Sequence, residues 1–169
     1  RSTLCPYTPL FRSAFFNAVG YNAWENIWGI WNQIPDRYAE AIRRIAAIYR
    51  HFPGIWNSND CQPFFPTLQK GIFASAFPGK GETVYSLVNR DSVSKTGEQL
   101  KLPFQAGMKY YDMYNGKLLV PRRAGTDIFL GFPVEAHGFG AVLATSEAAD
   151  SSLNGFIRRM HALTKKPLK

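Results

Sequence analysis

The stretch that decides the fold class is "TDIFLGFPVEAHGFGAVLAT", residues 126–145. Every second residue of its first half is apolar, which is the period of a β-strand with one buried face. The residues on that face are Ile128, Leu130, Phe132 and Val134. Pro133 lacks an amide hydrogen, so it predicts a sheet edge or a bulge at this point. A tight turn at His137 and Gly138 then leads into a second apolar strand, "GFGAVLAT".

Segments of the same character fill the chain from residue 71 onward. "ETVYSLVNRD" alternates in the same way, and "KLPF", "MKYYDMY" and "KLLVP" supply further short strands. Asn115-Gly116 between two of these segments is typical of a β-hairpin turn. Seven or so short strands at this spacing predict an antiparallel β-sandwich and not a parallel sheet.

Before the strands, "DRYAEAIRRIAAIYRHF" predicts an amphipathic helix over residues 36–52. Asp36 is the expected N-cap, Glu40 and Arg44 are expected to pair on the solvent side, and Pro53-Gly54 ends the helix. The apolar face repeats at offsets of four and three, and its members are Tyr38, Ile42, Ile45, Tyr49 and Phe52.

These elements predict an α+β chain in which N-terminal helical elements precede an antiparallel β-sandwich. We divide it into an N-terminal segment at 1–55, a linker loop at 56–70, the sandwich at 71–148 and a basic helix or linker at 149–169. The linker "PGIWNSNDCQPFFPTLQ" is rich in Pro, Asn, Asp and Ser, with Trp56, Phe64 and Phe65 as anchors.

Charge and composition narrow the classes of function. The hydrophobic content of 46% indicates a folded protein and excludes a disordered tail. The net charge of +8 is concentrated at the ends, since residues 54–155 hold nine basic and nine acidic side chains. A nucleic-acid-binding domain is expected to carry its basic residues on the folded surface, so nucleic acid is not a favoured partner.

No metal site or cofactor is predicted. Cys5 and Cys61 lack metal-ligand spacing, and the three histidines are scattered along the sequence. The two cysteines are compatible with one disulfide in a secreted protein or with two free thiols. No apolar run in the sequence is long enough to span a bilayer.

"NAWENIWGIWN", residues 22–32, is the candidate site for chemistry. Glu25 is the only acid in it and is the candidate catalytic carboxylate, although glycoside hydrolysis requires two and no second one is evident. Indole rings stack on pyranose faces and amides bind hydroxyl groups, so four neighbours are candidate substrate-binding residues. They are Asn22, Trp24, Asn26 and Trp28.

Structural alternatives stand beside each candidate. Trp24, Trp28 and Trp31 have the spacing of one packing face of a helix, which would leave Glu25 pointing outward or bonded to the backbone. His137 beside Glu135 suggests a general base but equally forms a turn between two strands. The tyrosines around Asp112 suggest a sugar-binding surface, or simply sheet core and rim; they are Tyr110, Tyr111 and Tyr114.

Beyond these patterns, the succession of motifs resembles a section of large multidomain proteins. The matching runs are "AFFNAVGYNAWENIWGIWN", "AEAIRRIAAIYRHF", "TVYSLVNRD", "YYDMYNGKLLVP", "FPVEAHGFGAVLA" and "MHALTKKPL". Those proteins have a glycoside-hydrolase-like TIM barrel, then a β-sandwich, and often a formylglycine-generating-enzyme-like (sulfatase-modifying-factor) domain. The resemblance implies that residues 11–53 end the barrel and that residues 70–146 form the sandwich behind it.

On this resemblance, the chain is a fragment of a carbohydrate-active protein and is not a complete catalyst, because a barrel active site needs loops from several strands. The implied partners are a carbohydrate and whatever covers the apolar face of residues 38–52, either the rest of the same polypeptide or another subunit. The alternative is a non-catalytic module that binds carbohydrate or protein. Under the first hypothesis, Glu25→Gln abolishes glycoside hydrolysis by the parent assembly; unchanged turnover would remove Glu25 from the mechanism.

Overall fold

The computed structural model describes residues 8–19, 36–57 and 59–164. Within them it has three α-helices and a short 3-10 turn at Ile55–Asn57. The helices are α1 (Thr8–Phe16), α2 (Asp36–His51) and α3 (Ser151–Leu163). The strands are β1 (Gln62–Phe65), β2 (Ile72–Pro78), β3 (Glu82–Asn89), β4 (Glu98–Pro103), β5 (Lys109–Asp112), β6 (Lys117–Leu119), β7 (Arg122–Ala124), β8 (Asp127–Gly131) and β9 (Phe139–Thr145).

These strands form two sheets. The larger has six strands in the order β1-β2-β3-β9-β5-β6, and the smaller has three in the order β4-β8-β7. Every pair of neighbours is antiparallel. The predicted α+β fold with an antiparallel β-sandwich is therefore confirmed. β8 ends at Gly131, two residues before Pro133, and the turn at His137 leads directly into β9.

One apolar core lies between the two sheets. Alternate residues of β2, β3 and β9 point into it, because side chains in a strand alternate between faces. The smaller sheet and the segment after it supply the opposite wall, including the four alternating residues of the opening stretch. The members of that wall that are at most 1% exposed are Leu100, Ile128, Leu130 and Val134.

A second core lies on the other face of the six-stranded sheet, where the helices pack. Ile48 of α2 is completely buried there, and Ala41 and Ile45 are buried beside it. Four members of the predicted apolar face are only partly buried against this core, so the chain covers that face in part; they are Tyr38, Ile42, Tyr49 and Phe52. The expected carbohydrate partner stays a prediction. So does a cover over residues 38–52 from the rest of the same polypeptide or from another subunit.

The pair formed by Glu40 and Arg44 corrects the sequence analysis. Nε of Arg44 donates to Oε1 of Glu40 at 3.1 Å as expected, but the Arg44 side chain is only 3% exposed and does not face solvent. Its Nη2 donates to the carbonyl oxygen of Leu163 at 3.0 Å, which joins α2 to the end of α3. The helical period alone does not reveal that α3 covers this side of α2.

The stretch predicted as a linker loop, residues 56–70, contains regular structure. β1 lies within it and pairs with β2, and one extra residue in β1 makes a bulge between Gln62 and Phe65. Prolines at 63 and 66 suggested a loop, but an edge strand tolerates proline because one side of it has no ladder partner. The division into domains and the assignment of residues 11–53 to the end of a barrel stay predictions.

Candidate functional site

The Trp-rich candidate site lies outside the described residues. This applies to Glu25 as the catalytic carboxylate and to the four proposed substrate contacts Asn22, Trp24, Asn26 and Trp28. Their roles stay predictions.

The tyrosines around Asp112 do not line a surface. Tyr110, Tyr111 and Tyr114 are all buried, at 4%, 6% and 3% exposure, on the two faces of the larger sheet. Tyr111 and Tyr114 belong to the core beneath the helices, whereas Tyr110 belongs to the core between the sheets. The interpretation of these residues as a sugar-binding surface is therefore wrong, because both faces of β5 are covered.

Asp112 itself is a buried carboxylate with a structural partner. Its Oδ1 accepts a hydrogen bond from the backbone N–H of Asn115 at 2.9 Å, and its Oδ2 accepts one from Nδ2 of Asn115 at 2.7 Å. Burial raises the pKa of Asp112 to about 6, and the bonds from Asn115 oppose that rise only in part. The carboxylate thus supports the hairpin turn between β5 and β6.

We expect this raised pKa to make stability depend on pH. The folded pKa of about 6 exceeds the ordinary value of 3.8. The folded state then binds the proton more tightly, and the associated stability is fully present below 3.8 and is lost as pH rises through 6. Between pH 7.5 and pH 4 the wild type should gain roughly 2 kcal/mol of unfolding free energy relative to Asp112→Asn. Urea unfolding of both proteins across this range measures it; a difference independent of pH would mean an ordinary pKa for Asp112.

His137 and Glu135 form the predicted turn. The backbone N–H of Gly138 donates to the carbonyl oxygen of Glu135 at 2.9 Å, and His137 has a positive φ of 51°. The carboxylate of Glu135 lies 3.7 Å from Nη2 of Arg37 at the start of α2. These contacts account for the segment as a connection between strands.

The structure reveals a pocket that the sequence analysis did not identify. It has a volume of about 290 Å³ and lies between α1 and the β1–β3 side of the larger sheet. Its lining combines aromatic rings, amide and hydroxyl groups and two guanidinium groups. The lining residues are Arg12, Ser13, Phe16, Asn17, Phe64, Phe73, Val88 and Arg90.

Phe64 is the most unusual residue of this pocket. Its φ is +57°, in the left-handed region that bulky residues rarely adopt, and the residue is 71% exposed. The bulge in β1 directs its ring toward the helical side, where its centroid lies 5.1 Å from that of Phe16. Phe65, the next residue, instead contacts Tyr85 on the opposite face at 5.1 Å. Backbone strain that holds an apolar ring in solvent is typical of a binding site.

Two arginines provide the charge of the pocket. Arg12 lies on α1, and Arg90 directly follows β3 with its Cζ 5.6 Å from the centroid of Phe73. Asn17 adds an exposed amide whose Nδ2 donates to the backbone oxygen of Ser13 at 2.9 Å. The pocket thus offers apolar ring faces, a free amide oxygen and guanidinium donors, which together suit a polar ring compound such as a sugar.

Sequence reasoning missed the pocket because its residues come from separate parts of the chain. "QPFFP" was the available signal, since two adjacent phenylalanines in a strand must point to opposite faces. From the sequence, we interpret both residues only as anchors of a linker loop. Neither Arg12 nor Arg90 belongs to a sequence pattern that indicates a binding site.

Comparison with solved structures finds partial similarity to glycoside hydrolases. An Anoxybacillus α-amylase is 11% identical and has a TM-score of 0.46 over 66% of this chain and 23% of its own. A family GH30 endoxylanase from Clostridium papyrosolvens is 15% identical with a TM-score of 0.38, over 60% of this chain and 28% of its own. A family 30 subfamily 8 xylanase from Clostridium acetobutylicum is 14% identical with a TM-score of 0.30, over 46% of this chain and 21% of its own.

This chain thus spans about a quarter of the length of the solved structures it resembles. Comparison with protein-family models finds no match, and neither does comparison with curated proteins. The expected formylglycine-generating-enzyme-like neighbour domain stays a prediction.

Two further observations concern only residues 8–19, 36–57 and 59–164. They contain no cluster of three or more His, Cys, Asp or Glu side chains placed to hold a metal ion. None of their helices has the length and apolarity needed to cross a membrane.

Proposed function

We propose that this chain is a section of a carbohydrate-active, glycoside-hydrolase-like protein, and that its sandwich binds a glycan at the pocket beside Phe64. The observation that carries the proposal is the exposed Phe64 ring, held at a strained backbone position above a lined pocket. Apolar C–H groups on a pyranose face pack on aromatic rings, and the hydroxyl groups require the amide and guanidinium groups around them.

Phe64 suits this role better than a role in folding. Its ring contributes little to either core, because most of its surface is exposed to solvent. A residue that served only the fold would be expected to adopt an ordinary β conformation and to bury its ring, since a positive φ at phenylalanine costs about 1 kcal/mol or more. The neighbouring Phe16 ring is buried and lies tilted by 58° against that of Phe64, so Phe64 is the member of the pair that solvent reaches.

Truncating the exposed ring tests the proposal. We expect the chain to bind at least one member of a panel of pyranose oligosaccharides that includes neutral, carboxylated and sulfated types. Phe64→Ala should weaken that binding about fivefold to thirtyfold, because an aromatic contact of this kind contributes on the order of 1 to 2 kcal/mol. Isothermal titration calorimetry gives the dissociation constants directly.

Phe104→Ala is the matched control. Phe104 is 40% exposed but follows β4 in the smaller sheet, beneath the guanidinium of Arg123 at 3.7 Å. Phe104→Ala should leave glycan binding unchanged. Both Phe64→Ala and Phe104→Ala should keep the circular dichroism spectrum of the wild type. Absence of binding to every oligosaccharide, or equal loss in the two variants, would overturn the proposal.

The role of Glu25 remains part of this proposal. It would act as one carboxylate of the glycosidic site in the parent assembly, with Asn22, Trp24, Asn26 and Trp28 as its substrate contacts. The sandwich site and the Glu25 site are tested separately. The effect of Glu25→Gln on hydrolysis is measured in the parent assembly, whereas glycan binding at Phe64 is measured on this chain alone.

A further inference from the structure

Arg12 and Arg90 line the same pocket, and neither is paired with an acid among the described residues. Six ion pairs join side chains of the described residues, and these two arginines take part in none of them. The acid next to Arg90 in sequence, Asp91, is bonded to Lys95 at 2.7 Å. Two cations therefore face one cavity without a neutralising group from the described chain.

Arg12 is an incompletely satisfied donor. Its Nε and Nη1 are enclosed and have no hydrogen-bond partner within the described part of the chain. Burial lowers the pKa of Arg12, the nearby Tyr38 hydroxyl raises it, and the positive charge of Arg90 lowers it further. Enclosed donors without an acceptor are destabilising, and mutual repulsion between two cations adds to this.

An oxyanion placed between the two guanidinium groups would relieve both effects. The planar fork of arginine matches carboxylate and sulfate oxygens better than it matches single hydroxyl groups. The same pocket is bordered by the exposed face of Phe64, so the anion must be attached to a body that packs on an aromatic ring. A cavity of about 290 Å³ is the size of a small site that takes about one ring of a ligand.

We propose that this pocket selects an acidic sugar, with the carboxylate or sulfate ester of a pyranose ring held between Arg12 and Arg90 and the ring packed on Phe64. The inference rests on the proposed function, that the sandwich binds a glycan, and adds the charge of that glycan. Asn17 at the pocket wall then serves the ring hydroxyl groups.

The test compares ligands that differ only in charge. We expect tetragalacturonic acid or a sulfated galactose tetrasaccharide to bind the full chain about tenfold or more tightly than the neutral methyl ester or the unsulfated tetrasaccharide. Comparing the carboxylate pair and the sulfate pair separately shows which of the two oxyanions the pocket binds. Tighter binding of the charged ligand in either pair supports the proposal. Titration at low and high salt should show that only the charged ligands lose affinity.

Arg90→Gln and Arg12→Gln test the residues. Arg90 is exposed, so Arg90→Gln is expected to fold normally and to lower the preference for the charged ligand about fivefold or more. Arg123→Gln is the matched control, since Arg123 is also exposed and also lies over a phenylalanine ring, that of Phe104. It should leave the preference unchanged.

The outcomes separate this inference from the proposed function. If neutral and charged ligands bind equally and Phe64→Ala weakens both, the sandwich binds glycans but the charge selection is refuted. If neither type binds, both proposals are refuted. An unchanged preference in Arg90→Gln together with Arg12→Gln also refutes the assignment to these two arginines.

Discussion

We expect Gly116→Ala to destabilise the protein more than any other single methyl addition at a described glycine. A Cβ at position 116 would lie 2.2 Å from the backbone nitrogen of His161 and 2.4 Å from the carbonyl oxygen of Ile157. These two groups are four residues apart in α3 and are the donor and acceptor of one helical hydrogen bond. Neither can move without opening α3 or withdrawing the β5–β6 hairpin from it.

Backbone strain adds to the steric effect, because Gly116 has a φ of +64°. Gly125→Ala separates the two contributions. Gly125 has a nearly identical φ of +63°, and a Cβ there would meet nothing within 4 Å. We expect about 1 kcal/mol of lost unfolding free energy at Gly125 and about 1 to 3 kcal/mol beyond that at Gly116.

Urea unfolding followed by circular dichroism measures both losses. Equal losses in Gly116→Ala and Gly125→Ala would show that the hairpin does not press against α3 in solution. A larger loss at Gly116 confirms the close approach.

The strands were predictable because their signal is local. Val84 and Val88 point to one face of β3 and Tyr85 and Leu87 to the other, as the alternation in the sequence predicts. The presence of α2 was predictable for the same reason, but its period placed the buried side only approximately. Of the predicted face only Ile45 is buried and the rest are partly buried; the other buried residues of α2 are Ala41, Arg44 and Ile48. Neighbouring residues alone were enough to predict the two-faced sheet and the helix.

Contacts between distant segments were not predictable in this way. Whether Arg44 faces solvent depends on the position of α3, whose Leu163 is 119 residues away in sequence. The pocket likewise combines Arg12 of α1, Phe64 of β1 and Arg90 after β3, and no local pattern brings them together. The exposure of Phe64 depends on a bulge in β1. The prolines around this strand predict a loop, so the sequence does not indicate the bulge.

Arg44→Ala is the second substitution for which we expect a large effect. The guanidinium donates to Glu40 at 3.1 Å and to the Leu163 carbonyl oxygen at 3.0 Å, and its Cζ lies 5.4 Å from the centroid of the Tyr114 ring. The Leu163 oxygen is at the C-terminal end of α3, where carbonyl groups lack helical partners and a cation is favourable. Removing the side chain leaves that oxygen without its donor and opens a gap between α2, α3 and the hairpin.

Arg43→Ala is the control that isolates the effect of burial. Arg43 also bonds to Glu40, with Nε 2.8 Å from Oε2, but its side chain is 52% exposed whereas that of Arg44 is 3% exposed. An exposed ion pair contributes at most about 1 kcal/mol, whereas breaking a buried one costs about 3 kcal/mol or more. We therefore expect Arg44→Ala to lower the urea midpoint strongly and Arg43→Ala to leave it almost unchanged. Similar midpoints for the two variants would mean that Arg44 is solvated and that α2 and α3 are held together by apolar contacts alone.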